Sequence, residues 1–250
     1  MTNNQQKASK LRFYWVAFMT GIYTIWACTC IVASSYFVKK YRESIDKILF
    51  LWSSRLLGLV GVNVKVSGLN NLTKQTKRPV IIMCNHSSLY DIPVSVVALN
   101  TSLRMLTKKE LFRIPILGSG LNRGEFISVD RHNREQSLKD LVRAKDKLLS
   151  GVVLWIAPEG TRSKDGKLAK FKRGGFHIAM ESDAIIIPIV IKDIHKVQAG
   201  DKMELHLNQD IDVELCEPVD VANYSSEQRK TLISDVRCRM LEKLEQVEEV

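Results

Sequence analysis

The chain has 250 residues, enough for one large domain or a domain with an appendage, and its 45% hydrophobic content excludes wholesale disorder. Lys and Arg number 37 against 27 Asp and Glu, so the net charge of +10 points to a polyanionic partner: nucleic acid, an anionic membrane or a phosphorylated substrate. The five cysteines, Cys28, Cys30, Cys84, Cys216 and Cys238, are odd in number, with no C-x-x-C pair and no histidine cluster beside them. A disulfide framework and a metal site are therefore not expected, and the free thiols fit a reducing compartment.

Residues 13–38 form a run of 26 positions without a charge, longer than the roughly 20 residues a helix needs to cross a bilayer. Its length argues against a cleaved leader. Basic residues flank both ends, Lys7, Lys10 and Arg12 before it and Lys39, Lys40 and Arg42 after it, so the charge rule gives no orientation. A segment that dips in and returns fits as well as one that spans. Residues 48–62 are apolar but carry Arg55 and two serines, the pattern of an amphipathic helix that touches the membrane or lids the core.

From residue 63 the pattern changes. Val64 and Val66 alternate with polar neighbours up to Ser67-Gly68, and residues 80–84 are a short apolar run of the kind a buried strand shows. Shorter candidate strands lie around Met105 and Ile127. Residues 134–149 predict a helix with Leu138, Leu141, Val142, Leu148 and Leu149 on one face, closed by Ser150-Gly151. Residues 152–157 read as another buried strand. Residues 185–191 read as a third, with Pro188 marking a strand end or a sheet edge. Late strands are predicted over 203–207 and 211–215, and a long helix over 225–247 opened by a Ser225/Gln228 capping box. Strands alternating with helices predict an α/β domain.

Two polar turns stand at the ends of predicted strands, where open α/β sheets gather their ligands. The first is Asn85-His86-Ser87-Ser88-Leu89-Tyr90-Asp91. His86 and Asp91 would be about 140° apart on a helix and on opposite faces of a strand, so they can pair only if the chain bends between them. A paired Asp91 would hold one imidazole nitrogen and leave the other free as a base. Asp91 before Ile92-Pro93 also suits a helix N-cap, and an isolated H-x4-D is usually no more than a cap and a loop histidine. The second turn is Pro158-Glu159-Gly160-Thr161-Arg162-Ser163. Gly160 permits close backbone approach, Thr161 offers a hydroxyl, and Arg162 a planar fork for phosphate; Glu159 could orient Arg162 or meet an acceptor hydroxyl. A basic run, Lys164, Lys167, Lys170, Lys172 and Arg173, follows before Gly174-Gly175. No serine nucleophile on a G-x-S-x-G turn appears in the sequence.

In this order the motifs resemble the lysophosphatidic acid acyltransferase (PlsC-type) family. Asn85, His86 and Asp91 match its N-H-x4-D block, Pro158 to Ser163 its F-P-E-G-T-R-S block, Lys108, Glu110, Leu111, Pro115 and Gly118 its K-x-E-L stretch, and Ile187-Pro188-Ile189 its last block. The likeness covers roughly residues 64–195. The second block departs: Arg131 falls in place, but Glu125 stands where the family has glycine, and Ala157 replaces the phenylalanine before Pro-Glu-Gly. The resemblance implies a mixed, mostly parallel sheet with surrounding helices and an N-terminal helical membrane anchor, divided as residues 1–62 and 63–250. It implies His86 as general base oriented by Asp91, and Lys108, Arg131, Glu159, Gly160, Thr161 and Arg162 as substrate-binding residues. Arg131 and Arg162 would converge on one phosphate patch if their strands were neighbours. The reaction implied is acyl transfer from acyl-CoA or acyl carrier protein to the sn-2 hydroxyl of 1-acylglycerol 3-phosphate, without a cofactor, at a membrane and with the catalytic domain on the cytoplasmic face. Glycerol 3-phosphate or another lysophospholipid as acceptor, or an inactive anionic-lipid-binding protein, are the competing readings. No nucleic-acid partner is expected, because no zinc finger, helix-turn-helix or aromatic RNA-binding pattern appears.

Overall fold

A computed structural model describes residues 6–73, 78–130, 133–198 and 203–245. In chain order the elements are β1 (Gln6–Lys7), α1 (Lys10–Phe37), α2 (Tyr41–Val60), β2 (Asn63–Ser67), α3 (Asn70–Thr73), β3 (Val80–Cys84), α4 (Asp91–Leu99), β4 (Leu103–Lys108), α5 (Leu117–Arg123) and β5 (Ile127–Val129). The second half adds α6 (Arg134–Leu149), β6 (Val153–Ile156), α7 (Gly174–Glu181), β7 (Ile185–Ile191), β8 (His206–Leu207), β9 (Asp210–Leu215), β10 (Val219–Asp220) and α8 (Arg229–Leu244).

The main sheet runs β2-β9-β7-β3-β6-β4-β5, with β10 also on β7. β7, β3, β6, β4 and β5 are mutually parallel, while β9 and β10 pair with β7 antiparallel. Every residue of β3 and β7 is buried, which is why these strands read as unbroken apolar runs. Their side chains divide between two cores by the two-residue period: Val80, Ile82 and Cys84 face α1, α2 and α4, and Ile81 and Met83 face α6, α7 and α8.

The structure revises five local expectations. Pro188 lies inside the central strand β7. It falls where the antiparallel partner changes from β10 to β9, so its missing N–H breaks no ladder bond, and its carbonyl accepts the N–H of Cys216 at 2.9 Å. On α6 the buried stripe is Leu141, Ala144 and Leu148, whereas Val142 and Leu149 are exposed; each exposed residue follows a buried one by a single position, which turns it about 100° away from the core. The late strand over 203–207 shrinks to β8, and the capping box starts a single 3₁₀ turn, Ser226–Gln228, ahead of α8. β5 and β6 are parallel as supposed, but β4 separates them.

α1 and α2 pack as an antiparallel hairpin whose inner side joins the sheet. Val16, Ala27 and Ile31 of α1 and Ile45, Ile48, Leu49, Leu57 and Val60 of α2 share one core with β3, β7 and α4. Gly120 of α5 meets α1 so closely that a Cβ there would lie 2.5 Å from the side chain of Cys28. Leu11, Tyr14, Trp15, Phe18, Ile22 and Ile25 recur every three or four residues on the outer side of α1 and are exposed. Among the described residues α1 is one helix long and apolar enough to cross a bilayer.

Candidate active site

The loop after β3 bends back, as pairing of His86 with Asp91 requires. Asp91 is the first residue of α4, not its cap; Tyr90 occupies that position. The Asp91 carboxylate, fully buried, turns towards the loop instead of along the helix. Its Oδ2 accepts from the N–H groups of Ser87 at 2.9 Å and Ser88 at 3.0 Å and lies 2.6 Å from His86 Nδ1. With the proton on Nδ1 directed at Asp91, Nε2 is left free. The loop is fixed at its root by Asn85, whose amide pairs both ways with the backbone of Ile191 at the end of β7, at 3.0 and 2.8 Å.

The loop after β6 lies alongside, because β3 and β6 are parallel neighbours with Met83 opposite Ile156. Its Ser163 N–H reaches the His86 carbonyl at 2.7 Å. Gly160 adopts a φ of +74°, so the turn favours glycine; a Cβ there would fall 2.7 Å from the flexible end of Lys172, which lies close over it. Glu159 is buried, and burial pushes its carboxyl up against the pull of two backbone N–H groups that it accepts, from His86 at 2.8 Å and Ala169 at 2.9 Å.

A cavity of about 590 Å³ opens between these loops and the end of β4. His86, Lys108, Arg162 and Lys172 border it, and Leu106, Val129, Leu141 and Ile156 give it an apolar side. The buried Nη1 of Arg162 has no hydrogen-bond partner among the described residues, an arrangement that suits an arriving anion. Lys108 is half exposed and 4.0 Å from Glu110. Of the expected site residues, His86, Lys108, Gly160 and Arg162 line the cavity, whereas Glu159 and Thr161 are not part of its lining. Asp91 stands behind His86. Arg131 lies outside the described residues.

Two lining residues were not singled out from the sequence. Trp155 meets the His86 ring edge-on, with centroids 5.9 Å apart, and is itself held by a hydrogen bond from Nε1 to Ser95 Oγ at 3.0 Å. Lys172 was one member of a basic run, and only its backbone bond to Pro158 at 2.7 Å and its contact with Gly160 single it out.

The sequence of residues 63–192 matches the family profile described as Acyltransferase. The chain belongs to the acyltransferase family. The crystal structure of the 1-acyl-sn-glycerophosphate acyltransferase PlsC from Thermotoga maritima superposes with a TM-score of 0.77 at 25% identity and covers 96% of each chain. Among curated proteins, the chloroplast 1-acyl-sn-glycerol-3-phosphate acyltransferase of Arabidopsis thaliana is 27% identical over 197 residues, covering 76% of this chain and 54% of its own. The Saccharomyces cerevisiae 1-acyl-sn-glycerol-3-phosphate acyltransferase is 27% identical over 192 residues, covering 76% of this chain and 62% of its own. The matched segments thus span between half and two thirds of these curated relatives.

Glu125, which stands where the resemblance expects glycine, takes no part in the cavity of this acyltransferase. It lies at the amino end of β5, opposite the active loops, with a φ of +62° that glycine would adopt without strain. Its buried carboxylate accepts two bonds of 2.7 Å from Arg42 of α2 and one of 3.1 Å from Lys147 of α6, and it lies 3.8 Å from the fully buried Arg104. Burial alone would raise its pKa, but these hydrogen bonds and charges outweigh it and bring the carboxyl down to about 2. Glu125 therefore ties the hairpin to the sheet and stands away from the cavity beside His86.

Proposed function

We propose that this protein transfers a fatty acyl group from an acyl thioester, carried by coenzyme A or acyl carrier protein, to the sn-2 hydroxyl of 1-acylglycerol 3-phosphate. The observation that carries the reading is the 2.6 Å His86–Asp91 contact at the wall of a cavity that Arg162 also lines, its Nη1 without a hydrogen-bond partner among the described residues. His86 Nε2 takes the hydroxyl proton as the oxygen attacks the thioester carbonyl. The new C–O bond forms, the C–S bond breaks, and the imidazolium returns the proton to the departing thiolate. Asp91 keeps Nδ1 protonated and stabilises the imidazolium between the two transfers. Lys108 or a backbone N–H supplies charge for the carbonyl oxygen, and Arg162 with Lys172 receives the acceptor phosphate.

The lipid product favours work at a membrane, since each buried CH₂ adds about 0.8 kcal/mol to membrane affinity. The exposed apolar stripe of α1 is the contact proposed for residues 1–62. Its inner side is committed to the core of residues 63–250, which favours a hairpin set into one face of the bilayer over a free-standing span. The test is turnover of purified protein in lipid vesicles with 1-acylglycerol 3-phosphate and labelled acyl-CoA. Replacing His86 by Ala should cost roughly 10²–10⁴-fold in the chemical step with the fold retained. Turnover near that of the wild type in folded His86→Ala would remove the base assignment. Product analysis with glycerol 3-phosphate and with an acceptor lacking phosphate separates the competing acceptors.

A further inference from the structure

The family block containing Glu159 suggests a group that touches substrate, yet the Glu159 carboxylate is buried and outside the cavity lining. Both its oxygens are spent on backbone: Oε1 on the N–H of His86 and Oε2 on the N–H of Ala169. The other side of the same peptide unit is held too, since the His86 carbonyl accepts from Ser163 N–H. Pro158 O accepts from Lys172 N–H at 2.7 Å, so the strand-end loops 85–88, 158–163 and 169–172 form one hydrogen-bonded unit. Glu159 is at its centre. Only a carboxylate offers two acceptor oxygens to two N–H groups approaching from different loops; an amide would turn a donor NH₂ towards one of them.

We infer that Glu159 is a positioning residue for acyl transfer: it clamps the backbone of His86 from behind and places a second negative charge, besides Asp91, near the imidazole. This rests on the reading of His86 as the base. The geometry explains why a carboxylate stands buried here despite its desolvation cost. Asp91 fixes the ring of His86, Trp155 bounds it edge-on, and Glu159 fixes the main chain from which the ring projects. Without the clamp the loop remains attached through Asn85 and Ser163, but the ring loses its fixed approach to the acceptor hydroxyl.

Steady-state kinetics of Glu159→Gln, Arg162→Ala and His86→Ala in lipid vesicles test this. The Glu159→Gln variant should lose about 10- to 100-fold in kcat and keep its acceptor KM within about twofold. A raised acceptor KM with unchanged kcat, the pattern expected of Arg162→Ala, would make Glu159 a substrate-binding group and overturn the inference. Wild-type kinetics in Glu159→Gln would overturn it as well. Wild-type turnover in His86→Ala would instead remove the underlying base assignment. Should Glu159→Gln fail to fold, the wild-type protein still decides. With ¹⁵N-histidine labelling, the His86 amide, identified by its absence in His86→Ala, should be slow to exchange with solvent and shifted downfield. A rapidly exchanging His86 amide would overturn the clamp.

Discussion

Replacing Glu125 by Gln removes the one carboxylate shared by Arg42, Lys147 and the fully buried Arg104. The fall of its pKa from the ordinary 4.5 to about 2 corresponds to about 3 kcal/mol of folding stability at neutral pH. That agrees with the ~3–5 kcal/mol lost when one partner of a buried ion pair is deleted. In Glu125→Gln, Arg104 keeps Asp46 as its charged partner at 2.7 Å, which places the loss at the lower end of that range. For a chain of this size about 3 kcal/mol corresponds to roughly 6–12 °C in melting temperature. Because the folded pKa is depressed, the contribution is fully present above the ordinary value of 4.5 and is lost as the pH falls towards about 2. Melting curves of wild type and Glu125→Gln in detergent should therefore differ most at pH 7 and converge between pH 4.5 and 2. Glu125→Gly removes the same charge but relieves the left-handed backbone at this position, so it should recover about 1 kcal/mol relative to Gln. Acceptor KM should not change in either variant. Melting within 2 °C of wild type at pH 7, or a difference independent of pH, would refute the ion-cluster argument; a raised acceptor KM would return Glu125 to the pocket.

Arg162→Ala should raise the acceptor KM and lower kcat/KM roughly 10- to 100-fold, in keeping with one charged hydrogen bond of ~1.5–3 kcal/mol, with little effect when the acceptor lacks phosphate; this is read from parallel kinetics on the two acceptors. Trp15→Gln, Phe18→Gln and Ile22→Gln together change half-exposed positions of the α1 stripe. At about 1 kcal/mol each they should weaken vesicle co-sedimentation by roughly 100-fold without lowering the melting temperature. Deleting residues 1–40 should behave differently: it uncovers the core that Val16, Ala27 and Ile31 close, and light scattering should report aggregation in place of a soluble catalytic domain.

The sequence by itself carried the chemistry of the site as far as local patterns reach. Unbroken apolar runs gave the strands because β3 and β7 are buried on both faces, and polar turns directly after β3 and β6 identified the loops because in a parallel sheet those ends share one side. The His86–Asp91 pairing was legible as a possibility because five residues with two serines allow a bend, but the backbone N–H groups that draw the Asp91 carboxylate back towards the loop belong to the folded turn. Strand order was decided only by tertiary structure: β4 separates β5 from β6, and Pro188 is tolerated in a central strand because its partner changes there. Burial decided Glu159, whose charge reads as substrate contact in sequence and is spent on the backbone of a residue 73 positions away. It decided Glu125 as well, since its partners Arg42, Arg104 and Lys147 come from α2, β4 and α6. Spacing along the chain encodes hydrogen bonds and faces within one element, whereas the partners of a buried charge are set by how separate elements pack, and no local pattern specifies that packing.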